Sequence, residues 1–259
     1  MVLVKTNVGS IVKLYVGYGS HLLYDCSGTF RSEVKHCREV MIDNGVFTLL
    51  RDNVNMHPIQ LVEHSVKMLY KRVREVERLN KDAKLIIVVP DYPFNHEVNN
   101  MIYHAARSLL YKYGLHNYEK IYVAHGYDSA ILDGVDADII GVPVNKISIV
   151  PTRPEISFKK MFKVDRDLCR ELIDSTIRRI REHGFTKIHL LGATSYTIRL
   201  IFNKCEEASR ITSLDTYSYH FLKNPIDGKR MIFKRGSTLE KMFLDAWIRE
   251  LGVFTVIEY

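Results

Sequence analysis

The chain has 259 residues, 46% of them hydrophobic and 26% charged, an ordinary globular composition with enough length to bury one or two cores. No apolar run approaches the roughly 18 residues needed to span a bilayer, Met1 to Lys13 lacks a signal-peptide layout, and the four scattered cysteines include no C-x-x-C pair. These features exclude a helical membrane protein, a disulfide framework and a local zinc knuckle as readings; a single-domain cytoplasmic protein with no membrane partner is expected, and 37 Lys and Arg against 30 Asp and Glu (net +7, pI near 9.1) favour a polyanionic partner.

In chain order, short Val- and Ile-rich runs alternate with longer helical patterns, the signature of βα units and a mainly parallel sheet. The spacing predicts strands at Lys13 to Gly17, Val40 to Ile42, Leu85 to Val89, Lys120 to Ala124, Ile139 to Val144, Lys187 to Leu191 and Ile211 to Leu214. Helices are expected near Pro58 to Leu79, His96 to Tyr113, Ser129 to Leu132, Asp165 to His183 and Ser195 to Cys205. Pro58 suits a first helical turn, Asn95 or Asp91 can cap the second helix, Ser195 can cap the last, and Gly114 and Gly184 read as stops. With Phe254 to Ile257 as the eighth strand, the α/β pattern completes a (β/α)8 TIM-type barrel over residues 1–259, without a zinc subdomain; an open doubly wound sheet is the alternative. Two stretches break the rhythm, near 145–164 and 223–236, and read as excursions over the active face; Lys223 to Arg235 is well placed to touch phosphates, whereas the helical basic clusters, such as Lys67, Lys71, Arg72, Arg74 and Arg78, read as solvated faces.

Aspartates fall where strand runs stop: Asp43 after Val40-Met41-Ile42, Asp91 after the Leu85 run, and Asp215 after Ile211-Thr212-Ser213-Leu214. Parallel strands of one sheet present their carboxyl ends on one edge, so these carboxylates are expected to converge. Each has a plainer reading. Asp43-Asn44-Gly45 is an ordinary turn signal, Asp91 can cap a helix, His125-Gly126 can be a strand-to-helix bend, and Asp215 can cap the next helix. Asp215 stands out because Thr216 to His220 is polar and aromatic, and an aspartate so placed can act as a nucleophile at a sugar carbon. The histidines, His57 with His64 and His96 with His104, give no coherent metal pattern, and no cofactor is implied; Tyr103, Tyr111 and Tyr113 read as helix packing.

The order Asp43-Asn44-Gly45-x-Phe47, Pro90-Asp91, His125-Gly126, Ile140-Gly141-Val142, Leu190-Leu191-Gly192 and Ser213-Leu214-Asp215 resembles a tRNA-guanine transglycosylase-type barrel. The likeness runs from residue 43 to 215. It implies that Asp215 is the nucleophile, Asp43 the general acid/base and Asp91 the reader of the purine's Watson-Crick edge. Phe47 and Leu191, the latter before Gly192, would sandwich the base, with His125, Gly126 and the backbone at Gly141 completing recognition. The chain departs from the family at Asn44 and Val46, at His125 where a Gln is usual, and in lacking cysteines after Cys205 and thus the zinc site; the compact form is closer to the branch that inserts 7-deazaguanine bases into DNA.

The resemblance implies a pentosyltransferase that exchanges guanine for a 7-deazaguanine-type base in tRNA or DNA, with homo- or hetero-oligomers open. A nucleoside or nucleic-acid N-glycoside hydrolase, and a non-catalytic nucleic-acid-binding barrel, are the alternatives.

Overall fold

The computed structural model describes residues 2–15, 34–35, 37–46, 57–92, 95–125, 132–144, 166–216 and 238–258. Phe47, Gly126, residues 129–131 of the expected Ser129 to Leu132 helix and the excursions near 145–164 and 223–236 lie outside them. Strands β1 (Val2–Thr6), β2 (Ile11–Tyr15), β3 (Glu39–Ile42), β4 (Lys84–Val88), β5 (Glu119–Val123), β6 (Ile139–Pro143), β7 (Ile188–Leu191), β8 (Ser213–Asp215) and β9 (Phe254–Glu258) form one mixed sheet. Its order is β3-β4-β5-β6-β7-β8-β2-β1-β9, parallel from β3 through β2 and antiparallel in the last two pairings.

The sheet curves as a half-barrel, which corrects the expected closed (β/α)8 barrel. Closure would require β2 to pair with β3. Instead, Gly9 in the left-handed region (φ 86°) turns the chain sharply, and the resulting hairpin places β1 along the edge of β2 that closure needs. β1 then pairs with β9, so the Phe254 to Ile257 run is an outer antiparallel strand rather than an eighth barrel strand. Neither β1 nor the helix at Thr238–Leu251 is among the elements expected from the sequence.

Strand residues alternate between two buried faces. Leu14, Val40, Ile42, Ile87, Tyr122, Ile140, Ile188, Leu190 and Leu214 face a core shared with the helices. On the opposite face Tyr15, Met41, Ile86, Val88, Ile121, Val123 and Ile139 meet one another, with Leu191 packed against them. Tyr15 of β2 and Met41 of β3 belong to this one cluster although their strands are not paired, so the concave face is filled side chain to side chain. Burial on both faces accounts for the near-continuous apolar runs of the parallel strands.

Among the described residues the α-helices are α1 (Pro58–Leu79), α2 (His96–Lys112), α3 (Arg166–Glu182), α4 (Ser195–Lys204) and α5 (Thr238–Leu251). Pro58 occupies the first turn of α1, and Leu61, Val62, Val66, Leu69, Val73 and Val76 form its buried stripe at helical spacing. Asn95 caps α2 by accepting from the Val98 backbone N–H at 3.0 Å. The cap of α4 is Thr194 rather than Ser195, with a capping box to Thr197; the Ser195 hydroxyl instead accepts from the Trp247 indole of α5 at 2.8 Å. Gly114 and Gly184 follow α2 and α3 at φ 69° and 86°, as expected of helix stops. Tyr103 packs edge-on against Tyr122 and Tyr113 lies against Tyr70, whereas Tyr111 is 70% exposed and stands beside His116, so it is not a packing residue.

Candidate active site at the carboxyl edge of the parallel strands

The strands β3, β4, β5, β7 and β8 all end on one edge, and the expected residues sit there: Asp43 after β3, Asp91 after β4, His125 after β5, Gly192 after β7 and Asp215 as the last residue of β8. They gather as two clusters. In the first, Asn44 is the hub: its buried amide donates to Val89 O at 2.8 Å and to Asp91 Oδ1 at 2.7 Å, while its side-chain oxygen accepts from Val46 N at 2.9 Å. Asp43 Oδ1 accepts from Asn44 N at 2.7 Å, and Gly45 at φ 78° allows the tight bend that aims Asn44 inward. Ser65 of α1 donates to Asn44 O, so the helix holds the turn from behind. The Asp43-Asn44-Gly45 segment is therefore a turn, as the plainer reading expects, and it carries the Asn44 amide to Asp91.

Asp91 also meets His125 Nε2 at 2.6 Å through Oδ2. Its side chain keeps 15% exposure, while that of His125 is 3% exposed. The next residue, Tyr92, donates its backbone N–H to Asn99 Oδ1 of α2, and the Asn99 amide donates to Val123 O and the Tyr122 hydroxyl. Burial pushes the Tyr122 hydroxyl well above its ordinary range, keeping it a neutral partner. One helix residue thus sets the spacing between the ends of β4 and β5.

The second cluster surrounds Asp215, which has no exposed surface. Its Oδ1 accepts from the Gly192 backbone N–H at 2.9 Å and lies 3.1 Å from His189 Nε2; His189 Nδ1 is 2.8 Å from the Ser213 hydroxyl. With Nε2–H donating to the carboxylate, Ser213 donates to Nδ1, and the two contacts fix one tautomer. The Tyr15 ring packs edge-on against His189 at 5.7 Å, and its hydroxyl donates to Glu39. Gly192 at φ 65° presents its N–H to the carboxylate. Sequence reasoning does not single out His189 or Asn99 and gives Asn44 and Ser213 no role as holders; for His189, Ser213 and Asn99 the signal available is a polar residue inside an apolar strand or helix stripe, which must find a partner when buried.

Gly141, on β6 between the clusters, has a packing cause: a Cβ there would lie 2.8 Å from Leu191 Cδ1 and 2.9 Å from Ile121 Cγ2. Leu191 borders the concave cluster next to it. Among the described residues there is no group of three or more His, Cys, Asp or Glu fit to hold a metal, and no helix is long and apolar enough to cross a membrane. Neither protein-family models nor curated proteins yield a match for this chain.

Proposed function

We propose that this protein exchanges guanine for a 7-deazaguanine-type base in a nucleic acid, through a covalent bond between Asp215 and the sugar. The observation that carries the reading is the pairing of chemistries along one strand edge. Asp91 is a carboxylate pinned by Asn44 and His125 with lone pairs remaining, and Asp215 is a second carboxylate pinned by His189 and the Gly192 N–H. A purine edge bearing N1–H and a 2-amino group offers donors that a fixed carboxylate accepts. Asp91 is the one of the pair with surface to meet them.

The extruded nucleotide places its base against Asp91. Asp215 attacks C1′, the C1′–N9 bond breaks, and its electron pair leaves with guanine, which Asp43 protonates. The incoming base gives a proton to Asp43, its glycosidic nitrogen attacks C1′, and the Asp215 ester is released. The concave apolar cluster, Leu191 included, supplies a dry surface beneath the base. The net charge of +7 supports binding of the polyanion.

The complete burial of Asp215 favours a second reading, a nucleic-acid-binding half-barrel in which this aspartate only ties β8 to the turn after β7. Release of labelled guanine from tRNA and from duplex DNA, with wild type and Asp215→Asn, separates the two. Release by wild type alone supports exchange; equal behaviour of both proteins supports the binding reading, and an abasic sugar as product moves the assignment to hydrolysis.

A further inference from the structure

Among the described residues no large hydrophobic side chain is more exposed than Tyr111, at 70%. Its ring is nonetheless held in place: it lies on His116, with ring centroids 4.5 Å apart and planes 31° from parallel. With one face on the imidazole, the phenol ring turns its other face to water, a surface that aromatic packing ordinarily buries.

The ring borders a groove of about 680 Å³ whose described lining includes His104, Arg107, Tyr111, His116, Lys120 and Asp136. That volume falls within the roughly 300–1,000 Å³ of sites that take small ligands. One wall is the α2 face on which His104, Arg107 and Tyr111 recur at helical spacing. The other is formed around the start of β5 and by the segment before β6, so the groove sits at the opposite end of the strands from Asp91 and Asp215. This second wall is fixed. The Asp136 backbone N–H donates to the Tyr103 hydroxyl of α2 at 2.9 Å, and Lys120 Nζ donates to the carbonyls of His116 and Tyr118 at 3.2 Å each.

The charges of the groove can be exchanged. Arg107 spends Nη2 on Asp136 Oδ2 at 3.2 Å, in a pair with both side chains exposed, and such pairs hold weakly against water or a competing anion. A guanidinium carries five donors in a planar fork that matches a phosphate, so most of its capacity is left for a ligand. Lys120 adds a positive charge beside it, partly offset by Asp138 at 3.6 Å. Arg107 and Tyr111 stand one helical turn apart, so a cation and an aromatic face lie side by side, as the phosphate and base of one nucleotide do.

We propose that this groove binds a nucleotide, its base stacked on the outer face of Tyr111 and its phosphate on Arg107 beside Lys120. The ligand is a free nucleoside phosphate or an unpaired residue of a nucleic acid, which share this chemistry. None of these residues belongs to the two clusters at the carboxyl edge, so the inference stands apart from the base-exchange reading.

The test is fluorescence anisotropy of a short labelled single-stranded DNA titrated with the intact protein, over a salt series and with guanosine monophosphate as competitor. Tyr111→Ala is expected to weaken binding about five- to a hundredfold, the loss of one stacked base, while Tyr111→Phe binds as wild type does. Arg107→Ala is expected to weaken binding and to reduce the slope of log affinity against log salt by about 0.7. Both side chains lie on the surface, and circular dichroism checks that the variants fold. Displacement of the DNA by guanosine monophosphate from wild type but not from Tyr111→Ala supports the site and assigns it to the free nucleotide. Tyr111-dependent DNA binding without displacement supports it and assigns it to unpaired nucleic acid. Binding that neither Tyr111→Ala nor Arg107→Ala weakens, a Tyr111→Phe loss as large as that of Tyr111→Ala, or no binding of either probe overturns the proposal. Guanine release by the same variants reads the base-exchange assignment separately.

Discussion

Removing the imidazole of His189 takes one donor from Asp215 Oδ1 and the acceptor from the Ser213 hydroxyl, all three buried. His189→Phe is therefore expected to lower unfolding free energy by roughly 2–3 kcal/mol, from buried polar groups left unmatched, and to slow guanine release by about tenfold or more. Urea unfolding reads the first. Release kinetics at saturating nucleic acid read the second, with His189→Gln restoring part of it through its amide. Gly141→Ala probes packing alone: with Leu191 and Ile121 under 3 Å from the new methyl, a loss of about 1–3 kcal/mol is expected, and unchanged stability would show that both neighbours shift freely. At this scale the sequence exposes the carboxylates and not their holders. Asp43, Asp91 and Asp215 stand out because each ends an apolar run, whereas Asn44 reads as a turn residue and His189 as an interruption of a strand until the register sets it opposite Ser213.

Several elements are linked at their amino-terminal side by a chain of alternating charges on β2, β3, β4 and β5 and just before β7. Lys13 of β2 meets Glu39 of β3 at 2.9 Å, Glu39 lies 3.7 Å from Lys84 of β4, Lys84 pairs with Glu119 of β5, and Glu119 pairs with Lys187 just before β7. Each lies two residues before a member of the concave face, so the same alternation that buries Tyr15, Met41, Ile86, Ile121 and His189 aligns the chain of charges. The Lys13–Glu39 link and the Tyr15–Glu39 hydrogen bond span the seam that the backbone ladder leaves open. Burial opposes ionisation of Glu119, but Lys187 and Lys84 outweigh it and hold its carboxyl below the ordinary range. The Glu119 hydrogen bond holds the Lys84 ammonium above its ordinary range against a smaller cost of burial. A depressed carboxyl stabilises the fold above its unfolded pKa and loses that contribution as pH falls through the folded one; a raised ammonium stabilises below its unfolded pKa and loses it as pH rises through the folded one. Glu119→Gln is thus expected to lower the melting temperature at neutral pH, with the gap to wild type closing below about pH 4. A gap constant down to pH 3 would show that the ion pairs contribute nothing. The strand periods are legible in sequence, and α1 runs over its expected Pro58 to Leu79. The charge chain is not, because it depends on register between strands 26 to 68 residues apart.

For the whole molecule, the parallel order is readable from the βα rhythm, and closure is not. A hairpin of two five-residue strands occupies the edge of β2 that a closed barrel would need, and nothing in the later rhythm reveals it. The half-barrel still gathers the strand ends on one edge, with Asp91 partly open and Asp215 sealed. On the proposed exchange reaction, attack by the sealed Asp215 requires its surroundings to open when a nucleotide enters. Cys205, whose thiol burial pushes up to about 12, and buried Cys169 should resist alkylation in the folded state, while half-buried Cys37 reacts before them; peptide mapping after limited alkylation reads the order. The most direct measurement is mass spectrometry of peptides from protein incubated with a guanine-containing tRNA or DNA and quenched by denaturation. The expected result is a sugar-linked nucleic-acid adduct on Asp215 that is absent from Asp215→Asn. Guanine release without an adduct on Asp215, or the same release from the variant, would contradict covalent base exchange at this residue.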